Sequence, residues 1–139
     1  MERFEIGRQL LATQPFSVLL KTELVRYVMQ GVELKLPITD LVKQQYGFVH
    51  GGVLSYLADN ALTYAGASAM KTLVVTSEFK INYVRPAVGE HLLARASTIH
   101  AGKTQAVCRC DVFVVKDGVE KLCAVAQGTI VRLGEEKKS

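Results

Sequence analysis

The sequence has no long apolar run and no cluster of basic residues. Its longest uncharged stretch, from Gly47 onward, is rich in Gly, Ala and Ser and is interrupted by Asp59, so no membrane span is predicted. The net charge is +4, but the 17 Lys and Arg residues are scattered along the chain. This pattern suits an anionic small ligand and does not indicate nucleic-acid binding.

Cysteine and histidine are scarce and poorly spaced for a metal site. Cys108, Cys110 and Cys123 are odd in number, and His91 and His100 have no partners at ligand spacing. We therefore predict no metal, no organic cofactor and three buried, reduced thiols. The first residues mix charged and apolar side chains and lack the apolar core of a signal peptide, so a cytoplasmic location is expected.

At 139 residues the chain has the length of one domain, which we expect to span residues 1–139. Residues 2–20 have the apolar spacing of a short amphipathic helix, with an interruption at Pro15. Residues 135–139 are charged and predict a solvated tail.

The segment Gly52–Met70 has apolar residues at the i, i+3 and i+4 spacing of a helix face. Most of its side chains are small. Gly66 weakens an isolated helix by about 1 kcal/mol relative to Ala, so its presence predicts close packing against another element. A slim apolar helix of this kind can be enclosed by a curved sheet.

Strand patterns occupy most of the remaining chain: 25–37, 73–84, 91–100, 104–115 and 121–133. Asp117-Gly118 predicts a tight turn between the last two. In the segment 73–84, the alternation places Val75 and Phe79 on one face and Thr76 on the other. The class predicted is α+β, and unpaired sheet edges predict an oligomer.

His50-Gly51-Gly52 stands where a loop leads into the long helix. The first N–H groups of a helix have no partner within the helix, and the helix dipole is positive there. Such N–H groups can hold a carbonyl oxygen as it becomes an oxyanion. The same motif can also be no more than a turn.

Asp59 stands in an otherwise apolar helix, where an unpaired carboxylate is costly to bury. Thr63 at i+4 and Ser55 at i−4 place a hydroxyl on the same helix face. A carboxylate near an oxyanion-holding helix start suits acyl-group hydrolysis, either as a base on water or as the nucleophile. The alternative is a solvated aspartate on an exposed face.

The run HGGVLSYLADNALTYAGASA, with Gln44 upstream and SEFKINYVRPAVGEHLLARA downstream, resembles the phenylacetyl-CoA and 4-hydroxybenzoyl-CoA thioesterase branch of the hotdog superfamily. The resemblance covers about residues 25–133, and its most specific feature is His-Gly-Gly with an acidic residue nine positions after the His. It implies a hotdog fold, in which a curved antiparallel sheet wraps one central helix. It also implies acyl-CoA hydrolysis at a site between protomers, hence a homodimer at minimum and commonly a homotetramer.

By position, the resemblance implies that the Gly51 N–H and the Gln44 side chain contact the thioester carbonyl. Asp59 matches the catalytic carboxylate, Thr63 a hydroxyl that assists it in some members, and Thr76 a serine that orients water in others.

His50 and Gly52 are expected to shape the loop against the substrate. For the coenzyme A phosphates the resemblance implies basic residues at the rim of the site. The candidates are Arg85 and Lys103, followed by Lys80 and Arg109.

Two other functions stay open at this point. A hotdog hydratase or dehydratase would act on enoyl or hydroxyacyl thioesters, and a non-catalytic module would only bind acyl-CoA. The sequence predicts neither the acyl group nor whether coenzyme A or an acyl carrier protein bears it.

Overall fold

The computed structural model describes residues 2–134, and the tail predicted for 135–139 lies outside them. Its elements, in chain order, are α1 (Arg3–Ala12), α2 (Pro15–Leu19), β1 (Glu23–Val28), β2 (Gly31–Pro37), a 3₁₀ turn (Asp40–Val42), α3 (Gly51–Met70), β3 (Val74–Tyr83), β4 (His91–Ala101), β5 (Gln105–Lys116) and β6 (Val119–Arg132). The long helix and the last four strands agree with the predicted segments within about two residues, the usual uncertainty of element ends.

The six strands form one antiparallel sheet in the order β1-β2-β4-β5-β6-β3. The helix α3 packs across one face of this sheet and contacts β2, β3, β4, β5 and β6. This architecture is the hotdog fold, and both that prediction and the α+β class are confirmed. No helix within residues 2–134 has the length and apolarity needed to cross a membrane.

The core lies between α3 and the sheet. On the helix, Leu57, Ala58 and Ala61 are fully buried, and across from them Leu34 and Ile130 are equally inaccessible. The three cysteines are also buried and unpaired, as predicted. Burial raises the pKa of the Cys123 thiol to about 11, which leaves little reactive thiolate at neutral pH.

At Gly66, α3 packs closely against β6. A Cβ placed on Gly66 would lie 2.7 Å from Cγ2 and 2.8 Å from Cβ of the fully buried Ile130. The prediction of close packing at this glycine is therefore confirmed.

Gly66→Ala should destabilise the fold by about 1–2 kcal/mol, because overpacking against Ile130 outweighs the roughly 1 kcal/mol that Ala gains in helix propensity. Denaturant unfolding measures the effect. Ala67→Gly, one position along, serves as the comparison and should cost about 1 kcal/mol through propensity alone. A more stable Gly66→Ala protein would show that the backbone at this contact is not tight.

The single strand predicted for 25–37 is wrong. Val28 pairs with Gly31, so Met29 and Gln30 form the turn of a hairpin between β1 and β2. Neither turn residue is Gly, Pro, Asn or Asp, which explains why the composition did not indicate a turn there. The turn predicted at Asp117-Gly118 is confirmed, and both residues have positive φ.

The predicted faces of β3 are also wrong at its beginning. The register of β3 against β6 shifts between Thr76 and Glu78, which makes Ser77 the extra residue of a β-bulge. The bulge reverses the alternation, so Thr76 faces α3 while Val75 is exposed. This shift brings a hydroxyl to the helix where the regular pattern predicts an apolar side chain.

The predicted N-terminal helix is interrupted at Pro15, as expected, and the interruption makes two helices of it. Pro15 is the first residue of α2, where its missing N–H costs no helical hydrogen bond. We call the segment from Thr13 to Ser17 the elbow. It joins α1 and α2 and lies against the middle of α3.

Candidate active site

His50 caps the start of α3. Its Nδ1 accepts a hydrogen bond of 2.8 Å from the Gly52 N–H, and the His50 carbonyl accepts one of 2.9 Å from Val53. The Gly51 N–H meets no acceptor among residues 2–134. The helix therefore presents the Gly51 N–H, at its positive end, to whatever lies in front of it.

A cavity of about 280 Å³ lies against Gly51. Its wall is mostly apolar and includes Phe48, Leu54 and Ala87. Arg85 stands at its rim and donates from Nη1 to the Leu122 carbonyl at 3.2 Å. The cavity thus combines one free N–H, one cation and apolar walls, a composition that suits an elongated anionic thioester.

Tyr83 fixes the position of Gly51. Its hydroxyl donates to the Gly51 carbonyl at 3.1 Å and lies 2.6 Å from Ser55 Oγ. A Cβ on Gly51 would lie 3.3 Å from Tyr83 Cζ. Sequence reasoning missed this residue, since its only signal is an aromatic side chain at the end of a strand. Ser55 contacts Tyr83, so of the two hydroxyl residues one helix turn from Asp59 it is not the one that joins the Asp59 cluster.

Gln44 lies in the tight loop that precedes α3. Its Oε1 accepts from the Tyr46 N–H, and its own N–H donates to the Phe48 carbonyl at 2.9 Å. Its Nε2 has no partner within the described part of the chain. In the single chain Gln44 is not part of the cavity wall around Gly51.

Asp59 is half-buried and lies midway along α3, in a second cluster of polar side chains. We call the Gly51 cavity and this Asp59 cluster the two half-sites. The Asp59 Oδ1 accepts a hydrogen bond of 2.6 Å from the Thr76 hydroxyl. The Thr63 hydroxyl donates to the Asp59 backbone carbonyl at 2.8 Å and lies 3.0 Å from Thr76 Oγ1. The structure therefore brings these three predicted residues together, although Thr63 reaches the carboxylate only through Thr76.

The Asp59 Oδ2 has no hydrogen-bond partner among residues 2–134. Asp59 lines a second cavity, of about 440 Å³, which opens between α3 and the elbow. A carboxylate with one oxygen held by a hydroxyl and the other accessible can take a proton from water or attack a carbonyl carbon.

The two half-sites are too far apart to meet within one chain. Gly51 and Asp59 are eight residues apart on α3, which is about 12 Å along the helix axis. A thioester whose oxygen accepts from the Gly51 N–H cannot also place its carbon beside the Asp59 carboxylate of the same chain.

The candidate phosphate-binding cations do not cluster. Lys103 follows β4 and Arg85 precedes it, so about 33 Å of strand separate the two ends. Lys80 and Arg109 line a shallow cavity on the sheet face away from α3, and Arg109 pairs with Asp111 at 3.2 Å.

No group of three His, Cys, Asp or Glu side chains within residues 2–134 is placed to bind a metal ion.

Comparison with known proteins decides the family. The model of the thioesterase superfamily matches residues 46–121, more than half of the chain, and includes Gly51, Asp59 and Thr76. The chain belongs to the thioesterase superfamily. Relatives that are named thioesterase or acyl-CoA hydrolase support thioester hydrolase activity.

Similar proteins agree with this assignment. A thioesterase family protein from Silicibacter pomeroyi is 33% identical, with a TM-score of 0.87 over 91% of this chain and 96% of that one. The 1,4-dihydroxy-2-naphthoyl-CoA hydrolase of Listeria monocytogenes is 29% identical over 70% of this chain and 78% of that protein. A candidate esterase from Archaeoglobus fulgidus is 36% identical over 63% of this chain, and the matched region covers 54% of the length of that relative.

Proposed function

We propose that this chain hydrolyses acyl-CoA thioesters to the free acid and coenzyme A, in the cytoplasm, with residues 1–139 as one catalytic domain. The observation that carries the proposal is the pair of half-sites on α3, an unpartnered Gly51 N–H and an accessible Asp59 carboxylate. The Listeria relative, which is named a hydrolase of an acyl-CoA, supports coenzyme A as the carrier.

In the proposed reaction the thioester oxygen accepts a hydrogen bond from the Gly51 N–H. As the carbonyl carbon becomes tetrahedral, the oxygen gains negative charge, and the positive end of α3 stabilises it. The free Nε2 of Gln44 supplies a second donor from the adjoining loop. His50 and Gly52 hold this geometry through their capping bond and leave the Gly51 N–H for substrate.

Asp59 supplies the base or the nucleophile. As a base, it takes a proton from water while the water oxygen attacks the carbonyl carbon, and the proton then passes to the departing thiolate. As a nucleophile, its carboxylate forms an anhydride with the acyl group, releases the thiolate and is freed by water. In a single turnover in ¹⁸O-labelled water, label in the Asp59 carboxylate identifies the anhydride route, because a general base never bonds to the water oxygen.

The complete site forms between two protomers. β3 is an edge strand whose outer side has no partner among the described residues, and it touches both half-sites, Asp59 through Thr76 and Gly51 through Tyr83. β3 can pair in antiparallel fashion with β3 of a second copy, about a two-fold axis midway between Thr76 and Tyr83. This pairing brings Tyr83 of one protomer opposite Thr76 of the other. Each Gly51 then faces the Asp59 of the second protomer.

The same pairing brings the predicted phosphate-binding residues closer together. In the sheet, Thr76 pairs with Ile130, which pairs with Ala106, and Ala106 pairs with Ala101. Lys103 is therefore at the Asp59 end, whereas Arg85 is at the Gly51 end. We propose that Arg85 of one protomer and Lys103 of the second bind the coenzyme A phosphates, in a homodimer that doubles to a homotetramer as in the branch that the sequence resembles.

A free-thiol assay against a panel of acyl-CoAs tests the function. The buried cysteines, whose pKa values are raised, keep the background from the protein low. Release of coenzyme A and acid is the expected result. A changed double bond without free thiol would indicate a hydratase or dehydratase, and binding without turnover would indicate a binding module.

Gln44→Ala should lower kcat by at least about tenfold, because it removes one donor to the oxyanion. The neighbouring Gln45→Ala is the matched control, since its side chain is exposed, and it should leave kcat unchanged. Steady-state hydrolysis by both variants gives the comparison. Equal rates for Gln44→Ala and the wild type would remove Gln44 from the oxyanion site.

A further inference from the structure

The cavity beside Asp59 has a built polar wall that the proposed mechanism does not use. It lies between α3 and the elbow and measures about 440 Å³, within the range of small-ligand sites. Gln14 on the elbow and Asn60 on α3 line it together with Asp59. An acyl group attached to a carbonyl at Asp59 would extend along this wall.

A hydrogen-bond network holds Gln14 and Asn60 in place. Gln14 Oε1 accepts from the hydroxyl of buried Ser17 at 2.6 Å and from Asn60 Nδ2 at 3.1 Å. Beside them, the Tyr56 hydroxyl contacts Ser17 and lies 2.9 Å from Thr22 Oγ1. Both bonds to Gln14 use its oxygen, so the network also fixes which way its amide points.

Each of the two side-chain amides has one polar group without a hydrogen-bond partner in this network. Gln14 Nε2 and Asn60 Oδ1 have no partner within residues 2–134, and neither is sealed inside the protein. The free donor and the free acceptor therefore belong to two neighbouring amides of the cavity wall, which are joined by the 3.1 Å bond from Asn60 to Gln14. A hydroxyl group matches this pair, because its oxygen accepts from Gln14 and its hydrogen is donated to Asn60.

Two aromatic rings also line the cavity. Phe16 and Tyr56 meet edge to face, with ring centroids 5.0 Å apart, and both line the cavity. An apolar acyl body can pack against these rings while a hydroxyl on it reaches the amides. A fully apolar acyl group would leave both amide groups without partners once it displaced the water there.

We propose that Gln14 and Asn60 form a specificity pair that selects acyl groups bearing a hydroxyl over the same groups without one. This inference rests on the proposed acyl-CoA hydrolysis and names its substrate class. Two hydrogen bonds of ordinary strength correspond to a preference of about 10- to 100-fold in kcat/KM.

The test compares benzoyl-CoA with 3- and 4-hydroxybenzoyl-CoA, and hexanoyl-CoA with its hydroxylated forms, in the free-thiol assay. The wild type should prefer at least one hydroxylated member of a pair by about tenfold or more. Gln14→Met and Asn60→Leu, which keep side-chain volume but remove the amides, should reduce that ratio to near one. Gln9→Met, on the exposed face of α1 and outside the cavity, should leave both rate and ratio unchanged.

The possible failures are distinguishable. Thiol release from every pair without a preference, or a preference that survives both amide substitutions, overturns the specificity pair and leaves the proposed function standing. If no acyl-CoA is hydrolysed, the proposed function fails. Calorimetry then compares the dissociation constants of each hydroxylated compound and its unhydroxylated partner, and equal constants overturn the specificity pair. If the variants melt early, the inhibition constants of hydroxybenzoate and benzoate are compared on the wild type. Equal inhibition constants overturn the proposal.

Discussion

Replacing Asp59 with Asn should lower kcat/KM for a good acyl-CoA substrate by at least about a hundredfold, the scale expected when a general base is lost. The substitution keeps the size of the side chain and an oxygen that can accept from the Thr76 hydroxyl. It removes the negative charge and the basicity that either chemical route requires. Steady-state hydrolysis, measured beside a thermal melt, gives both quantities.

Asp117→Asn is the matched control for this change. Asp117 is exposed in the turn between β5 and β6, with a positive φ that Asn tolerates well, so neither rate nor melting should change. An Asp59→Asn protein that melts normally and keeps near-wild-type turnover would exclude Asp59 from the mechanism. Early melting or a changed oligomer with a proportionate loss of rate would instead indicate a structural aspartate.

The parts of this fold that the sequence predicts correctly are those with local causes. The α3 helix follows from its apolar spacing, and its close contact with β6 follows from the absence of a side chain at Gly66. The last hairpin follows from Asp117-Gly118, whose positive φ values suit a tight turn. The β1–β2 turn at Met29 and Gln30 has no such chemistry, and only the pairing of the two strands reveals it.

The same distinction between local causes and tertiary packing applies to the residues of the site. The spacing on α3 correctly places Thr63 near Asp59, because a helix turn fixes that distance. Thr76 arrives through a bulge at Ser77, which regular alternation cannot predict. Gln14 and Tyr83 come from distant segments, and their contacts with the two half-sites depend on tertiary packing.

Gly51→Pro should lower kcat/KM by about 10²- to 10³-fold, as expected when one donor of an oxyanion site is lost. Gly51 is the first residue of α3, where Pro is well tolerated, and His50 already has the extended conformation that a following Pro requires. Gly51→Ala is the matched control, because it adds a similar Cβ near Tyr83 but keeps the N–H. Equal losses in the two variants would show that the added bulk, and not the N–H, is responsible.

Mixing the two impaired chains tests whether the site spans two protomers. In a dimer of one Gly51→Pro chain and one Asp59→Asn chain, the first chain supplies an intact Asp59 and the second an intact Gly51. One of the two composite sites is then complete, so purified heterodimers should recover about half of wild-type activity and a random mixture about a quarter. Differently tagged, co-expressed chains allow the heterodimer to be isolated. A heterodimer no more active than its parents would place both groups in one chain or assign the chemistry to other residues.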